Sequence, residues 1–513
     1  MSRDLVIGID SSTTATKAIA WDRTGTPMAE GRSEIPLAQP RPRYFEQNPE
    51  DWWQSTSLAL RELTAKVGPA RIAGVAISNQ RETFGIFDEH GEAIRPAIVW
   101  LDERAMDQMR RFGASFGAEK IHAISGKPVD ITPCIYRMVW LRENEPRLLD
   151  RAAYVSEVHG YLCFRLTGRW ITSTASADPL GVLDMERLVW SQDILAAAGV
   201  PINKMLSLVR PGALIGTVTE DAGQATGLLV DTPIFAGGGD GQCAGTGVEV
   251  MRTGRAYINL GTAVVSGRYS ENYAFDASFR TETAVADRGY IVETCLRSGT
   301  FLLDWLTREL LGMDHQRELE VLTALENEAA ASPVGANGVM LVPYWEGCMT
   351  PYWDAAARGV IAGISGSTRR GDLYRALLEG VVLEQALASR RLQAGCGQAI
   401  DHYVAVGGGT ASNLWMQILA DATGVRVHRS SSKEASSLGA AVAAATGCGW
   451  FRNFSEASAT MAGHIDRTFE PRPNETAAYA ELAEIYEGLW PAISTWNQKL
   501  ARFVEQRAAK PQS

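Results

Sequence analysis

The stretch Val6-Ile7-Gly8-Ile9-Asp10-Ser11-Ser12-Thr13-Thr14-Ala15-Thr16-Lys17 decides the fold, because a second stretch repeats its plan about 250 residues downstream: Ala256-Tyr257-Ile258-Asn259-Leu260-Gly261-Thr262-Ala263-Val264-Val265. Each is an apolar strand, a short turn rich in Gly, Ser or Thr, and a second apolar run. Both turns can offer backbone N–H groups and hydroxyls to one anion. Two such turns in two halves of one chain point to two lobes that close on a polyphosphate.

Outward from the first turn, residues 5–10, 17–21 and 28–34 read as three strands, with Asp22-Arg23-Thr24-Gly25 as the second turn. A helix follows over 49–66, opened by the N-cap and first-turn pair Asn48-Pro49. Residues 72–77 form a buried strand that ends in Ser78-Asn79-Gln80-Arg81-Glu82-Thr83. That order predicts an α/β domain with a mixed sheet. Residues 104–205 are mostly helical and rich in Trp and Leu. A short strand at 234–236 runs into Gly237-Gly238-Gly239-Asp240-Gly241, and a new hairpin starts at 255. The lobe boundary is therefore set at 250, giving lobes 1–250 and 251–513. In the second lobe a strand at 402–406 enters Gly407-Gly408-Gly409-Thr410-Ala411-Ser412-Asn413, then a helix over 413–422. Residues 436–446 form a small-residue helix suited to close packing, and the polar tail 505–513 is expected to fray.

A chain of 513 residues exceeds one ordinary domain, and 46% hydrophobic with 21% charged residues supplies a large core. The net charge of −10, with no basic stripe, excludes a long nucleic-acid footprint. The seven cysteines never take a C-x-x-C spacing, which reads as free thiols in a reducing cytoplasm. No metal-type histidine cluster occurs. Asp4 and Asp10 fall where a signal peptide would be apolar, and no apolar run reaches 18 residues, so neither signal peptide nor membrane span is expected.

Single motifs carry two readings each. Asp10, at a strand end before a hydroxyl-rich turn, suits Mg²⁺, which takes one or two carboxylates and keeps its waters; equally it could cap its own turn. Thr13, Thr14 and Lys17 could be plain turn hydroxyls and a solvated lysine. Asp240 follows three glycines at the strand end where α/β sheets bind ligands, a place for a general base or for a linker turn. Arg81 and Glu82 combine a donor with an acceptor for vicinal hydroxyls, or make a surface ion pair. Trp100 and Asp102, after the next strand end, could add an apolar wall and a further acceptor, or belong to the core. The run Gly407-Gly408-Gly409 could seat a nucleotide at a helix N-terminus, yet neither G-x-G-x-x-G nor G-x-x-x-x-G-K-[ST] occurs.

Their order along the chain says more. Gly8-Ile9-Asp10-x-x-Thr13-Thr14-x-x-x-Lys17, Ser78 to Thr83, Gly239-Asp240, Asn259-Leu260-Gly261-Thr262, Thr350-Pro351-Tyr352-Trp353-Asp354 with Arg358-Gly359, and Gly407-Gly408-Gly409 with Asn413 together resemble the FGGY family of carbohydrate kinases over residues 4–500. The run from Gly359 to Glu379 nearly matches a family signature and departs at Leu377. The resemblance implies a two-lobe actin-like (RNase H-like) ATPase fold with ATP and Mg²⁺ in the interlobe cleft. It implies Asp240 as catalytic base and Asp10 on the Mg²⁺ side. Thr13, Thr14, Lys17, Gly261, Thr262, Gly299, Gly408, Gly409 and Asn413 fall to the nucleotide. Arg81, Glu82, Trp100, Asp102 and Asp240 fall to the acceptor, a small sugar or polyol; a homodimer is the family's habit.

Four positions depart from the pattern. Cys134 and Arg137 replace a small hydroxyl residue or proline and a lysine. Thr132 stands where glycerol kinases carry a tyrosine, and Gly241 where they carry a glutamine. The last two changes are expected to enlarge the pocket, which counts against glycerol and favours a longer acceptor such as a pentulose or a tetritol-to-pentitol. A pentulose such as xylulose is the first expectation and a glycerol- or erythritol-type polyol the alternative. Arg81-Glu82, in turn, differs from the substrate loop usual in xylulokinases. Two other classes stay open from the residues: a non-catalytic actin-like ATP-driven switch and a sugar-binding regulator.

Overall fold

Two sheets of like topology organise the chain, whose computed structural model describes residues 3–313, 318–462 and 465–508. The first contains β1 (Leu5–Ser11), β2 (Ala15–Trp21) and β3 (Pro27–Glu34). After α1 (Pro49–Val67) come β4 (Ile72–Asn79), β5 (Leu214–Thr217) and β6 (Pro233–Gly239), which leads straight into α2 (Asp240–Thr246). The strand order is β5-β6-β4-β1-β2-β3.

The second sheet contains β7 (Arg255–Leu260), β8 (Val264–Ser270), β9 (Arg280–Thr283) and β10 (Tyr290–Leu296). The long helix α3 (Arg370–Cys396) leads to β11 (His402–Val406), α4 (Asn413–Thr423), β12 (Arg426–Ser430), α5 (Ala435–Gly447), β13 (Ile465–Phe469) and α6 (Pro473–Ala508). Its order is β9-β10-β8-β7-β11-β12-β13. Hairpin β1–β2 corresponds to β7–β8, and β3 to β10. The parallel pairs β1–β4 and β4–β6 correspond to β7–β11 and β11–β12, and the antiparallel edge β5 to β13. The repeated turn read from the sequence thus belongs to a duplicated sheet, with β9 as an extra edge.

Both faces of the first sheet are covered, which is why β4 is buried at every residue rather than alternating. On one face lies α1. Asn48 Oδ1 accepts from Glu50 N at 3.2 Å, Pro49 opens the helix, and Trp52, Leu60 and Leu63 point inward. On the other face lies α5, which comes from the second half of the chain. Ser437 Oγ donates to the Gly8 carbonyl at 2.9 Å, and Trp21 Nε1 donates to Ser437 Oγ at 3.1 Å. A Cβ on Gly439 would stand 1.8 Å from the Cys243 carbonyl oxygen, so α2 and α5 touch backbone to backbone. Leu438 is fully buried in this seam, a placement worth about 1.5–3 kcal/mol.

The small-residue helix therefore joins the two halves. One core cluster runs from Val6 and Phe235 through α2 and α5 to Tyr257 and Val404. The chain passes between sheets from Thr246 to Arg255. Two expectations shift. The third parallel strand continues to Gly239, so Asp240 opens a helix instead of sitting in a linker turn. Residues 505–508 continue α6, because Ala501 upstream is still packed against the body; 509–513 lie outside the described residues. All seven cysteines are free, and no helix among the described residues is long and apolar enough to cross a membrane.

Candidate active site at the junction of the two sheets

The parallel strands β1, β4 and β6 are adjacent and end together, so the residues that follow them meet at one edge. Asp10 pairs across the first hairpin with Lys17. Ser78 Oγ, from β4, donates to Asp10 Oδ1 at 3.1 Å. Lys17 Nζ reaches across to Glu434 Oε1, 2.5 Å away, immediately before α5. Burial, then the neighbouring Asp240 carboxylate, push the Asp10 carboxyl up to about 7, while the Ser78 hydroxyl opposes the shift. Burial also raises Asp240, against the pull of the Arg81 guanidinium. Two carboxyls that each resist ionising beside the other make a locus a dication would stabilise. Among the described residues no group of three or more His, Cys, Asp or Glu could hold a metal by itself. One or two carboxylates with room for waters and phosphate oxygens is a donor set that fits Mg²⁺.

Asp240 Oδ1 accepts from the Gly241 amide at 2.7 Å and forms an ion pair with Arg81 Nε at 3.1 Å. The glycines on either side make that approach possible. A Cβ on Gly239 would stand 2.6 Å from Arg81 Cγ, and one on Gly241 3.0 Å from Arg81 Cζ. The space freed at Gly241 is thus filled by the guanidinium, so this position does not enlarge the pocket as expected from the sequence.

Behind Arg81 lies a charge network that sequence reasoning missed. Arg81 Nη1 donates to both oxygens of Glu293, at 3.0 and 3.2 Å. Glu293 is fully buried on β10. It also accepts from Arg280 Nε at 2.8 Å and Tyr257 OH at 2.7 Å. Burial works against its charge, but Arg81 and Arg280 hold the Glu293 carboxyl down to about 2. Arg280 Nη1 donates to Glu82 Oε1 at 2.8 Å. Glu282, fully buried, pairs with Lys127 Nζ at 3.1 Å. Burial drives Asp178 strongly toward its protonated form, and it shares its hydrogen-bonding space with Glu282. Arg81, Glu82, Lys127 and Asp178 belong to the first half, Arg280, Glu282 and Glu293 to the second. Arg81 and Glu82 belong to the 78–83 motif already read from the sequence; the other five lie in no periodic or spaced motif, so their only sequence signal was charge inside β-type runs such as Arg280-Thr281-Glu282 and Val292-Glu293-Thr294.

Trp100 is exposed, and its Nε1 donates to Thr13 Oγ1 at 2.9 Å, which ties its loop to the first turn. Asp102 is a correction. It is fully buried, and both its oxygens are occupied: Oδ1 by Arg104 N and Nε at 3.0 and 2.8 Å, Oδ2 by Phe45 N and Arg104 Nη2, each at 2.7 Å. A carboxylate so saturated anchors its own loop rather than meeting an acceptor hydroxyl. Thr132 Oγ1 donates to Asp130 Oδ2 at 2.7 Å, and Arg297 from the second half reaches the same oxygen at 3.4 Å.

The second turn is braced from below. Gly299 N donates to the Thr262 carbonyl at 2.7 Å and Thr300 N to the Gly261 carbonyl at 2.8 Å, so Gly261, Thr262 and Gly299 form one unit. Because β7 and β11 are parallel neighbours, the Gly407-Gly408-Gly409 turn lies beside it; a Cβ on Gly409 would stand 2.9 Å from Leu260 Cβ. Gly408 is exposed with open space around it. Asn413 is also exposed, and its Oδ1 accepts from Arg429 at 2.7 Å. Thr14 and Thr262 both present exposed side chains on their turns.

Residues 5–247 match the model of the N-terminal domain of the FGGY family of carbohydrate kinases, and residues 256–448 match that of the C-terminal domain. The xylulose kinase of Bacillus subtilis (strain 168) is 30% identical over 505 residues, 97% of this chain and 99% of that protein. The crystal structure of xylulose kinase from Rhodospirillum rubrum is similar with a TM-score of 0.89 at 25% identity, covering 96% of this chain and 99% of that one. A gluconate kinase from Lactobacillus acidophilus shares the fold at a TM-score of 0.90 and 23% identity, covering 97% and 99%.

Proposed function

The chain belongs to the FGGY family of carbohydrate kinases, and from that premise we propose that it transfers the terminal phosphoryl group of ATP to a primary hydroxyl of a pentulose such as xylulose, with Asp240 as the base. Family membership sets aside the two non-catalytic readings. The observation that carries the base assignment is Asp240 at the mouth of α2, one oxygen pinned by the Gly241 amide and Arg81. The 30% identity to a xylulose kinase over nearly the whole chain supports the acceptor class.

The chemistry is mostly positioning and charge. Asp240 accepts the hydroxyl proton as the acceptor oxygen attacks phosphorus. A base so placed contributes about 10²–10⁴ in rate, roughly 3–5 kcal/mol. Its raised proton affinity makes it a stronger base than an ordinary carboxylate, and activity falls as acid protonates it. The turns at Ser11–Thr14 and Gly261–Ala263, with the Gly407–Gly409 turn beside the second, hold the nucleotide and its phosphates through amides and hydroxyls, and Lys17 adds positive charge. Arg81 and Glu82 exchange part of their pairing with Glu293 and Arg280 for acceptor hydroxyls. Asp10 would hold Mg²⁺, which when bound neutralises phosphate charge.

A second reading, a glycerol- or tetritol-type acceptor, is favoured by the Arg81 guanidinium lying against Gly241, since that removes the extra room on which the longer acceptor was argued. An assay coupling ADP formation to a panel of ketoses and polyols decides between them. Xylulose or a related pentulose is expected to give the highest kcat/KM, and EDTA is expected to stop turnover. Glycerol outrunning every ketose would move the assignment to the polyol reading. ADP formation indifferent to any added acceptor would remove it altogether.

A further inference from the structure

Arg137 opens the helix Ile135–Asn144 and is fully buried. A buried guanidinium ordinarily faces a carboxylate, because an unpaired charge in the interior is expensive. Arg137 has no ion pair among the described residues. Instead it donates to three backbone carbonyls on three separate segments: Nη1 to Val99 O at 2.6 Å, Nη2 to Glu82 O at 2.9 Å, and Nη2 to Thr132 O. Its Nε is buried with no partner at all. An apolar side chain at this place would take a donor from all three carbonyls at once.

Two of the three carbonyls belong to segments that carry proposed acceptor groups, and the third belongs to Thr132, which stands where glycerol kinases carry a tyrosine. Glu82 is itself such a group and follows Arg81; Val99 precedes Trp100; Thr132 is bonded to Asp130. Glu82 is held at φ +47°, in the left-handed region, which a non-glycine residue adopts only when its surroundings enforce it. Arg137 grips its carbonyl while Arg280 grips its carboxylate, at 2.8 Å. A guanidinium carries its donors on separate nitrogens in a fixed planar fork, so its reach to carbonyls on different loops is set by geometry, whereas an ammonium offers three rotatable donors from one atom.

We propose that Arg137 is a positioning residue for the acceptor. It locks the 78–83, 99–104 and 130–134 segments into one wall and thereby sets which acceptor the enzyme uses. The proposal rests on the kinase reading above. Its test is Arg137→Lys in the ADP-coupled assay, run on the best and second-best acceptors of the unmodified protein. The expected result is an acceptor KM raised about tenfold or more, with the ATP KM within about twofold and kcat reduced less than about fivefold. The preference between the two acceptors should flatten by about fivefold or more. A merely structural residue would lower activity toward both substrates together.

An acceptor KM within about twofold and an unchanged preference would overturn the proposal, as would parallel losses for ATP and acceptor. Should the variant not fold, hydrogen exchange on the unmodified protein decides. Amides in all three segments are expected to slow together when the best acceptor is added, and a response confined to one segment would sink the idea. Failure of the kinase reading looks different: the unmodified protein would form no acceptor-dependent ADP, and the proposal would fall with it.

Discussion

In the proposed reaction, Asp240 is the residue on which turnover depends most directly. It has one oxygen fixed by an amide and a guanidinium and sits where the parallel strands of the first sheet end. Replacing it with Asn keeps the size and loses the base. Asp240→Asn is expected to lower kcat at least about a hundredfold while leaving the ATP dissociation constant near its original value. Steady-state kinetics and calorimetric titration with a non-hydrolysable ATP analogue check the two halves of that statement, and wild-type kcat would remove the residue from its role. The placing of Asp240, Asp10 and Arg81 at or just after strand ends was readable in the sequence, because strand, turn and Gly context leave a local trace. The partners of Arg81 were not, because Glu293 is 212 residues away and meets it only through folding.

Two elements have properties that single residues do not explain. Helix α5 packs so closely on α2 that position 439 has no room for a side chain. Gly439→Val should destabilise the protein by about 2–4 kcal/mol, read as a lower thermal midpoint; a midpoint within a degree of the original would mean the helices can part without penalty. Helix α3 carries Glu384, buried, with Tyr486 of α6 donating to Oε2 at 2.7 Å and Oε1 left without a partner. Burial pushes this carboxyl up to about 7 against the tyrosine hydrogen bond. A folded value above the unfolded one means that the stabilising contribution is complete below about pH 4.5 and disappears as pH rises through about 7. Glu384→Gln mimics the protonated form, so its thermal midpoint should exceed that of the original protein at pH 8.5 and approach it at pH 5. A gap that stays constant across this range would show that Glu384 does not titrate there.

At the scale of the whole molecule, the halves are joined twice: by α5 lying on the first sheet, and by ion pairs that cross beneath the proposed site. Arg81–Glu293, Arg280–Glu82, Lys127–Glu282 and Arg297–Asp130 all link one half to the other. Because burial makes each charge dependent on its partner, Glu293→Ala should strip acceptors from two buried guanidiniums at once. The expected loss is about 3–5 kcal/mol, measured by urea unfolding. A loss under about 1 kcal/mol would mean that water or other carboxylates replace Glu293. Such a seam lets acceptor binding and the relation between the halves act on the same side chains.

Local chain chemistry was enough to read the duplicated α/β plan and the place of each strand-end turn, and to single out Asp240 as the candidate base. Hydrophobic periodicity and turn chemistry are local, and the strand, turn and helix order of each half is written within it. Packing settled which half α5 covers, that Asp102 is spent on its own loop, that Arg81 occupies the space left by Gly241, and that Arg137 holds three carbonyls. Those outcomes depend on which buried donors and acceptors lie within about 3 Å of one another. Residues far apart in the chain reach that range only once the two sheets have packed.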